Sequence, residues 1–193
     1  MDEVIEVTLR ITAILKSLGV PYLIGGSFAS TIHGISRSTQ DVDVVADLQS
    51  QHVTPLVAAL EGEFYFDESA IREAVARRST FNVVHLDTYL KADIFVADGK
   101  PSTRSEMERR QPYTFESHPT EEILIASPED IVIQKLYWYR LGDQVSERQW
   151  SDVMNVLLVR GKHLDVGYMR ELADEMGVAD LLDRVLHDAG LQS

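Results

Sequence analysis

Apolar and polar positions follow two different periods along the first two thirds of the chain. Residues 3–18 place apolar side chains three and four positions apart, which predicts a helix ending near Gly19. Asp41 begins an alternation of acid and valine that predicts a strand with one polar face up to Ala46. Further helices are predicted at 27–32, 50–60, 68–77 and 102–110, and further strands at 22–24, 64–66, 81–86, 90–96, 113–116 and 122–126. Because strands and helices alternate, the pattern predicts an α/β sheet with helices packed on it.

The predicted elements change at Ser127, from alternating strands and helices to helices alone. Ser127 can cap a helix, Pro128 suits its first position, and Asp130 supplies an acid in its first turn. The predicted helix runs to about Leu141, and three more are predicted at 147–160, 166–176 and 179–189. The sequence therefore predicts two parts, an α/β (α+β) core over residues 1–126 and a C-terminal helical segment over residues 127–193.

Composition narrows the classes of protein that remain. The chain has 193 residues and no cysteine, which excludes disulfides, thiolate metal sites and thiol nucleophiles. No apolar run is long enough to cross a membrane, and the acidic N-terminus lacks the basic segment of a signal peptide, so we expect a cytoplasmic protein. The net charge of −13 disfavours broad electrostatic binding of long nucleic acid, whereas a metal-bound nucleotide is an acceptable ligand.

Three aspartates are the candidate chemical groups. Residues two apart on a strand point to the same face, roughly 6.5 Å from one another, so Asp41 and Asp43 project together. Asp93 has the same relation to Lys91 on a later predicted strand. If the two strands are neighbours, three carboxylates converge and need a cation between them. Oxygen ligands of this kind favour Mg²⁺, or Mn²⁺, over softer metals.

Taken alone, these aspartates have a simpler interpretation. An acid–hydrophobe–acid triplet is common on the exposed face of a strand in soluble proteins. The order of elements favours the functional interpretation: an apolar strand, then Gly25 and Gly26, a short helix, a polar loop and the acidic strand.

This order resembles the nucleotidyltransferase fold of the DNA polymerase beta superfamily, in which a glycine turn precedes Asp-x-Asp by about a dozen residues. Within that superfamily, GGSFASTIHG at 25–34 and RSTQDVD at 37–43 resemble the AbiEii-type nucleotidyltransferase toxins and related bacterial proteins. The segments ASPEDIVIQKL at 126–136 and ERQWSDV at 147–153 resemble their helical part. The resemblance covers most of residues 20–160.

The resemblance implies a role for each candidate residue. Asp41 and Asp43 would hold Mg²⁺ ions that bridge the triphosphate, and Asp93 would be the third ligand and the base for the acceptor hydroxyl. Backbone amides at Gly25 and Gly26 would approach phosphate at a helix start, where the helix dipole favours anions. The hydroxyl of Ser27 would donate to the same phosphates.

Two cations are further candidates for nucleotide binding, and each has an alternative. Arg37 precedes the acidic strand and is either a phosphate ligand or a solvated loop arginine. Lys135 is either a phosphate ligand, as the resemblance implies, or a lysine that extends along apolar surface to reach water. Lys91 shares the face of Asp93 and is expected to pair with it. His33 is interpreted as a helix-end or partly buried histidine rather than a catalytic one.

The sequence leaves several functions open. The leading hypothesis is transfer of a nucleoside monophosphate from an NTP such as ATP to an acceptor hydroxyl on RNA, particularly transfer RNA, or on protein in a toxin-like role, with an antitoxin as partner. A cationic small-molecule acceptor, as in aminoglycoside adenylyltransferases, is the first alternative. A catalytically inactive domain that binds a nucleotide or a partner protein is the second.

Overall fold

The computed structural model describes residues 2–35 and 38–191, and its internal contacts divide the chain into two compact units. The first unit comprises Met1–Phe28 and Ser38–Ile125, and the second comprises Ala29–Arg37 and Ala126–Ser193. The predicted domain division between residues 126 and 127 stays a prediction.

A seven-stranded mixed sheet forms the centre of the first unit. Its strands are β1 (Tyr22–Ile24), β2 (Asp41–Ala46), β3 (Phe64–Tyr65), β4 (Thr80–His85), β5 (Lys91–Val96), β6 (Gln111–Phe115) and β7 (His118–Ile125). They lie in the order β3-β4-β5-β2-β1-β7-β6. The pairs β2–β5 and β1–β7 are parallel, and the other neighbours are antiparallel. β1 lies inside the sheet between β2 and β7 and is buried at all three positions, which explains its continuous apolar sequence.

The helices of the first unit begin and end where local signals place them. They are α1 (Asp2–Ser17), α2 (Gly26–His33, which begins in this unit), α3 (Ser50–Leu60), α4 (Glu68–Arg77) and α5 (Pro101–Arg109). α1 buries the apolar stripe that predicted it, including Val7, Ile11 and Leu15. The Asp67 side chain caps α4 by accepting from the backbone amides of Ser69 and Ala70.

The second unit is helical. It contains α6 (Pro128–Leu141), α7 (Glu147–Arg160), a short 3₁₀ helix (Gly161–His163), α8 (Val166–Glu175) and α9 (Ala179–Asp188). The Ser127 side chain accepts from the backbone amide of Asp130, as the sequence predicts for the start of α6. The apolar core of the second unit includes Val153 and Val156 of α7, and Leu182 and Val185 of α9.

The fold class is confirmed, and the observed helices and strands match most predicted ranges to within one or two residues. β7 is longer than predicted because His118 also pairs with β6, opposite Phe115, beyond an irregularity in the register after Thr114. The 3₁₀ helix was not predicted. None of the helices in the described part of the chain is long and apolar enough to span a membrane.

His33, at the end of α2, is 3% exposed within the second unit. Its Nε2 lies 2.7 Å from the carbonyl oxygen of Ala126, which identifies Nε2 as the protonated nitrogen. Its Nδ1 is buried without a hydrogen-bond partner. Burial lowers the pKa of His33 below its ordinary value, and the Ala126 hydrogen bond acts in the opposite direction. The structure thus agrees with the interpretation of His33 as a buried histidine.

The lowered pKa of His33 predicts a specific loss of stability in mild acid. The unfolded chain binds a proton at His33 below about pH 6.5, where the folded chain does not, so stability falls as the pH drops from there towards the folded pKa. His33→Gln keeps an amide donor and does not titrate. Urea unfolding at pH 7.5, 6.5 and 5.5 measures the free energy of unfolding. Its decrease with falling pH should be smaller in His33→Gln than in wild type, by up to about 1.4 kcal/mol per pH unit. Equal losses in both proteins would contradict this account.

Candidate active site

Asp41, Asp43 and Asp93 lie on two strands that pair directly. In the parallel register of β2 and β5, Asp43 is opposite Asp93 and Asp41 is opposite Lys91. Val42 and Val44 are fully buried, and Asp41 and Asp43 alternate with them along β2, so the two aspartates point to the opposite face of the sheet. The two acidic strands are therefore neighbours, which is the condition that the sequence analysis set for the three carboxylates to converge.

The glycine turn lies against one of these aspartates, Asp43. The backbone amide of Gly25 donates to the carbonyl oxygen of Asp43 at 2.9 Å. Gly26, the first residue of α2, has a φ of +57°, and a Cβ added to it would lie 1.8 Å from Oδ2 of Asp43. Ser27 follows in the first turn of α2 and is half-buried. The absence of a side chain at Gly26 thus lets the Asp43 carboxylate approach the N-terminus of a helix, where amides and the helix dipole favour anions.

Lys91 places a positive charge at this site. Its Nζ lies 2.6 Å from Oδ2 of Asp93, as the sequence led us to expect. This hydrogen bond is the main cause that raises the pKa of Lys91, and the charges of Asp93, Asp41 and Asp43 raise it further against the effect of burial. Across residues 2–35 and 38–191, no three His, Asp or Glu side chains are grouped closely enough to hold a metal ion as they stand.

The donor set nevertheless fits a hard divalent cation. Asp41, Asp43 and Asp93 offer carboxylate oxygens on adjacent strands, and such oxygens are the ligands that Mg²⁺ and Mn²⁺ favour. The close approach of Asp43 to Gly26 also places a carboxylate beside a helix start that can receive phosphate. These residues would hold the metal, and their roles as ligands and base stay predictions.

Asn82 is a residue that the sequence reasoning missed. In the antiparallel pair of β4 and β5 it is directly opposite Asp93, and it is exposed. Asp43, Asp93 and Asn82 therefore form one row across three strands, with neighbouring Cβ atoms about 5 Å apart. Because Phe81 and Val83 on either side of Asn82 are apolar, the sequence indicates that Asn82 points away from the core. Only the strand pairing shows that it lies beside Asp93.

Of the two cations that the sequence suggests for nucleotide binding, the structure describes one. Arg37 lies outside the described residues, and its role stays a prediction. Lys135 is 4% exposed on α6, and its Nζ donates to Oδ2 of Asp152 at 2.8 Å and to Oε1 of Gln149 at 3.2 Å. It is thus a buried ion-pair partner in the second unit, not a lysine that extends to the surface. Whether it also binds nucleotide stays a prediction.

The sheet, the glycine turn and the acidic strands together define the nucleotidyltransferase fold. The structure is similar to that of an antigenic nucleotidyltransferase-like protein from Paracoccidioides brasiliensis, with a TM-score of 0.60, 16% identity, and coverage of 97% of this chain and 93% of that one. It is also similar to the antibiotic-resistance factor ANT(2'')-Ia in solution, with a TM-score of 0.54, 16% identity, and coverage of 97% and 100%. The complex of ANT(2'')-Ia with adenylyl-2''-tobramycin gives a TM-score of 0.55 at 14% identity, over 91% and 97% of the two chains.

At these identities the similarity establishes the fold. No protein-family model and no curated protein matches the chain.

The contact at Gly26 predicts an order among three glycine substitutions in the first unit. Gly26→Ala combines a left-handed backbone with a clash against Asp43. Gly62→Ala has only the left-handed backbone, at φ +83° with open space around it, and Gly25→Ala has ordinary contacts. The left-handed conformation costs a residue with a side chain about 1–2 kcal/mol. The free energy of unfolding should therefore fall by more than that in Gly26→Ala, by about that amount in Gly62→Ala, and least in Gly25→Ala. Urea unfolding of the three variants measures these losses. Equal losses of unfolding free energy in Gly26→Ala and Gly62→Ala would show that the Asp43 side chain moves aside at no cost.

The buried Lys135–Asp152 pair predicts a large cost for removing one partner. Asp152→Ala leaves a buried ammonium without its carboxylate, and we expect a loss of about 3–5 kcal/mol in unfolding free energy. Asp180→Ala is the matched control in the same unit, because its pair with Arg140 is largely exposed and should contribute less than about 1 kcal/mol. A loss in Asp152→Ala no greater than in the control would show that Lys135 is not held by this pair.

Proposed function

We propose that this protein is a magnesium-dependent nucleotidyltransferase that moves a nucleoside monophosphate from an NTP to an acceptor hydroxyl. One observation carries the proposal: Asp43 and Asp93 are opposite each other on parallel strands, while Asp43 contacts the glycine that starts α2. This arrangement combines oxygen ligands for a divalent cation with backbone amides for phosphate, the two requirements of phosphoryl chemistry.

The proposed reaction is an in-line displacement at phosphorus. The acceptor oxygen forms a bond to the α-phosphorus while the bond from that phosphorus to the bridging oxygen of the β-phosphate breaks, and pyrophosphate leaves with the electron pair. Asp93 takes the hydroxyl proton as the base. The cation held by the carboxylates would offset negative charge on the phosphate oxygens. The chain's own contribution is positioning, since no covalent nucleophile is needed.

Phosphate binding would be shared by several groups. Gly25 and Gly26 present backbone amides, and Ser27 presents a hydroxyl, all in the first unit. Arg37 and Lys135 are proposed as cations for the triphosphate. For Lys135 this role requires that its ammonium exchange from Asp152, because the pair is now buried.

The charge of the first unit bears on the acceptor. This unit has 19 Asp and Glu against 10 Lys and Arg, a net charge of −9. Such a surface repels polyanions and attracts cations. The charge therefore favours a cationic small molecule as the acceptor, and the fold neighbour ANT(2'')-Ia is known as a complex with adenylyl-2''-tobramycin.

A toxin-like role is the second candidate. It rests on the resemblance of residues 25–34 and 37–43 to the AbiEii-type toxins, and it implies transfer to RNA or protein in the cytoplasm with an antitoxin as partner. Growth of bacteria that express the chain, with and without Asp43→Asn, separates the two roles. Growth arrest that needs Asp43 supports the toxin, and survival on an aminoglycoside that needs Asp43 supports the small-molecule transferase.

Transfer of label tests the reaction itself. The protein is incubated with each α-labelled NTP, Mg²⁺ and one class of candidate acceptor. These classes are total RNA, protein, and small molecules that carry several hydroxyl and amino groups. Asp43→Asn should reduce transfer at least about a hundredfold because it removes a metal ligand, with an unchanged circular dichroism spectrum. Asp87→Asn is the control, since it makes the same change at an exposed turn, and chelation of Mg²⁺ should also stop the reaction.

Two results would overturn this proposal. Equal transfer by wild type and Asp43→Asn would exclude the carboxylates from the chemistry. Binding of NTP without transfer to any acceptor would support the inactive nucleotide-binding domain instead.

A further inference from the structure

Asn82 lies next to the proposed base, on the strand beyond the carboxylates. It is directly opposite Asp93 in the antiparallel pairing of β4 with β5, and it is exposed. Phe81 and Val83 on either side of it are buried, so Asn82 points to the same open face of the sheet as Asp93. A neutral amide is therefore accessible at the edge of an acidic site.

The order of groups along this face distinguishes two sides of the site. Gly26 lies against Asp43, which is opposite Asp93 on the neighbouring strand. Asn82 is opposite Asp93 on the side away from Asp43. The proposed phosphate-binding amides are thus at one end of the row and Asn82 is at the other. Two strand spacings, about 10 Å, separate Asp43 from Asn82, which leaves room for an α-phosphate and a hydroxyl group beside it.

In-line displacement assigns these two sides to different substrates. The attacking and leaving oxygens must lie on opposite sides of the phosphorus. If pyrophosphate leaves towards the start of α2, the acceptor hydroxyl approaches from the side of Asp93 and Asn82. A carboxylate can take the proton of that hydroxyl, whereas an amide is not a base at neutral pH. The amide of Asn82 instead suits binding, because its Oδ1 accepts hydrogen bonds and its Nδ2 donates them.

We propose that Asn82 binds the acceptor through a polar group adjacent to the reacting hydroxyl. The acceptor is then a vicinal diol or amino alcohol, as in a sugar, and not an isolated hydroxyl. The Cβ atoms of Asn82 and Asp93 are about 5 Å apart, so the two side chains can hold groups on neighbouring carbon atoms of one molecule. The inference rests on the proposed function, because it takes Asp93 as the base and the start of α2 as the phosphate side.

Three small alcohols test this inference by a choice between acceptors. Ethanol, ethylene glycol and ethanolamine share a primary hydroxyl and differ in the group on the neighbouring carbon. Each is added with an α-labelled NTP and Mg²⁺, and the labelled ester is measured relative to the labelled NMP that forms by transfer to water. This ratio, corrected for the two hydroxyls of ethylene glycol, reports the choice of acceptor independently of the total rate.

Wild type should prefer ethylene glycol to ethanol by about fivefold, as expected for one hydrogen bond made in competition with water. Asn82→Ala should lose this preference. Asn82→Asp supplies a charged acceptor oxygen and should prefer ethanolamine, which carries an ammonium group, more than wild type does. Thr80→Ala is the matched control and should keep the preference, because Thr80 is on the same strand and face but opposite Phe95. A purely structural effect of Asn82→Ala would lower all products alike and leave the ratios unchanged.

Total RNA distinguishes two sources of a vicinal diol. Periodate cleaves the diol of the terminal ribose and leaves the internal 2′-hydroxyls intact. Label on untreated RNA alone would identify a ribose as the acceptor. No label on RNA, with ethylene glycol preferred to ethanol, would identify a small sugar-type molecule, which the charge of the first unit favours. Label on periodate-treated RNA that depends on Asp43 would show transfer to an isolated hydroxyl and would overturn the inference.

The outcomes separate this inference from the proposed function. If wild type does not prefer ethylene glycol, if Asn82→Ala keeps the preference, or if only NMP forms with all three alcohols, the inference about Asn82 is wrong. The proposed function still stands in those cases, provided that Asp43→Asn loses the labelled product. If no labelled product forms from any NTP, both the proposed function and this inference are overturned.

Discussion

The site depends on one constraint, the parallel pairing of β2 with β5 in a fixed register. Because side chains alternate along a strand, a slip of one residue would turn Asp93 into the core and bring Ala92 to the open face. Buried Val42, Val44 and Ile94 prevent such a slip by requiring the opposite face. The apolar core of the first unit therefore positions the carboxylates, although none of its side chains takes part in the proposed chemistry.

Concentrated negative charge is the second determinant. Two aspartates on one strand and a third on its neighbour would raise the free energy of the fold unless a cation is present. Lys91 places one positive charge beside Asp93. The helix start at Gly26 adds a weaker positive field beside Asp43. These features support the proposal that the site receives a cation and phosphate together, as nucleotidyl transfer requires.

Much of the fold follows from local sequence patterns. The alternation at residues 41–46 predicted β2, and the Ser127–Pro128 signal predicted the start of α6, because both depend on neighbours in the chain. Long-range pairing was harder to predict. Three such contacts join residues distant in sequence: Asn82 opposite Asp93, Lys135 buried against Asp152, and residues 29–35 grouped with the C-terminal helices. Such contacts are set by tertiary packing, which a single sequence does not encode locally.

If the proposed function is correct, the aspartates of β2 and β5 hold metal-bound nucleotide beside the start of α2. Crystals grown with Mn²⁺ and a non-hydrolysable NTP analogue test it most directly, because manganese is located by its anomalous scattering. We expect an anomalous peak within ligand distance, about 2.1 Å, of the Asp41 and Asp43 carboxylate oxygens, as for a hard octahedral cation, with the triphosphate at the amides of Gly25 and Gly26. Nucleotide and metal bound elsewhere on the protein would contradict it.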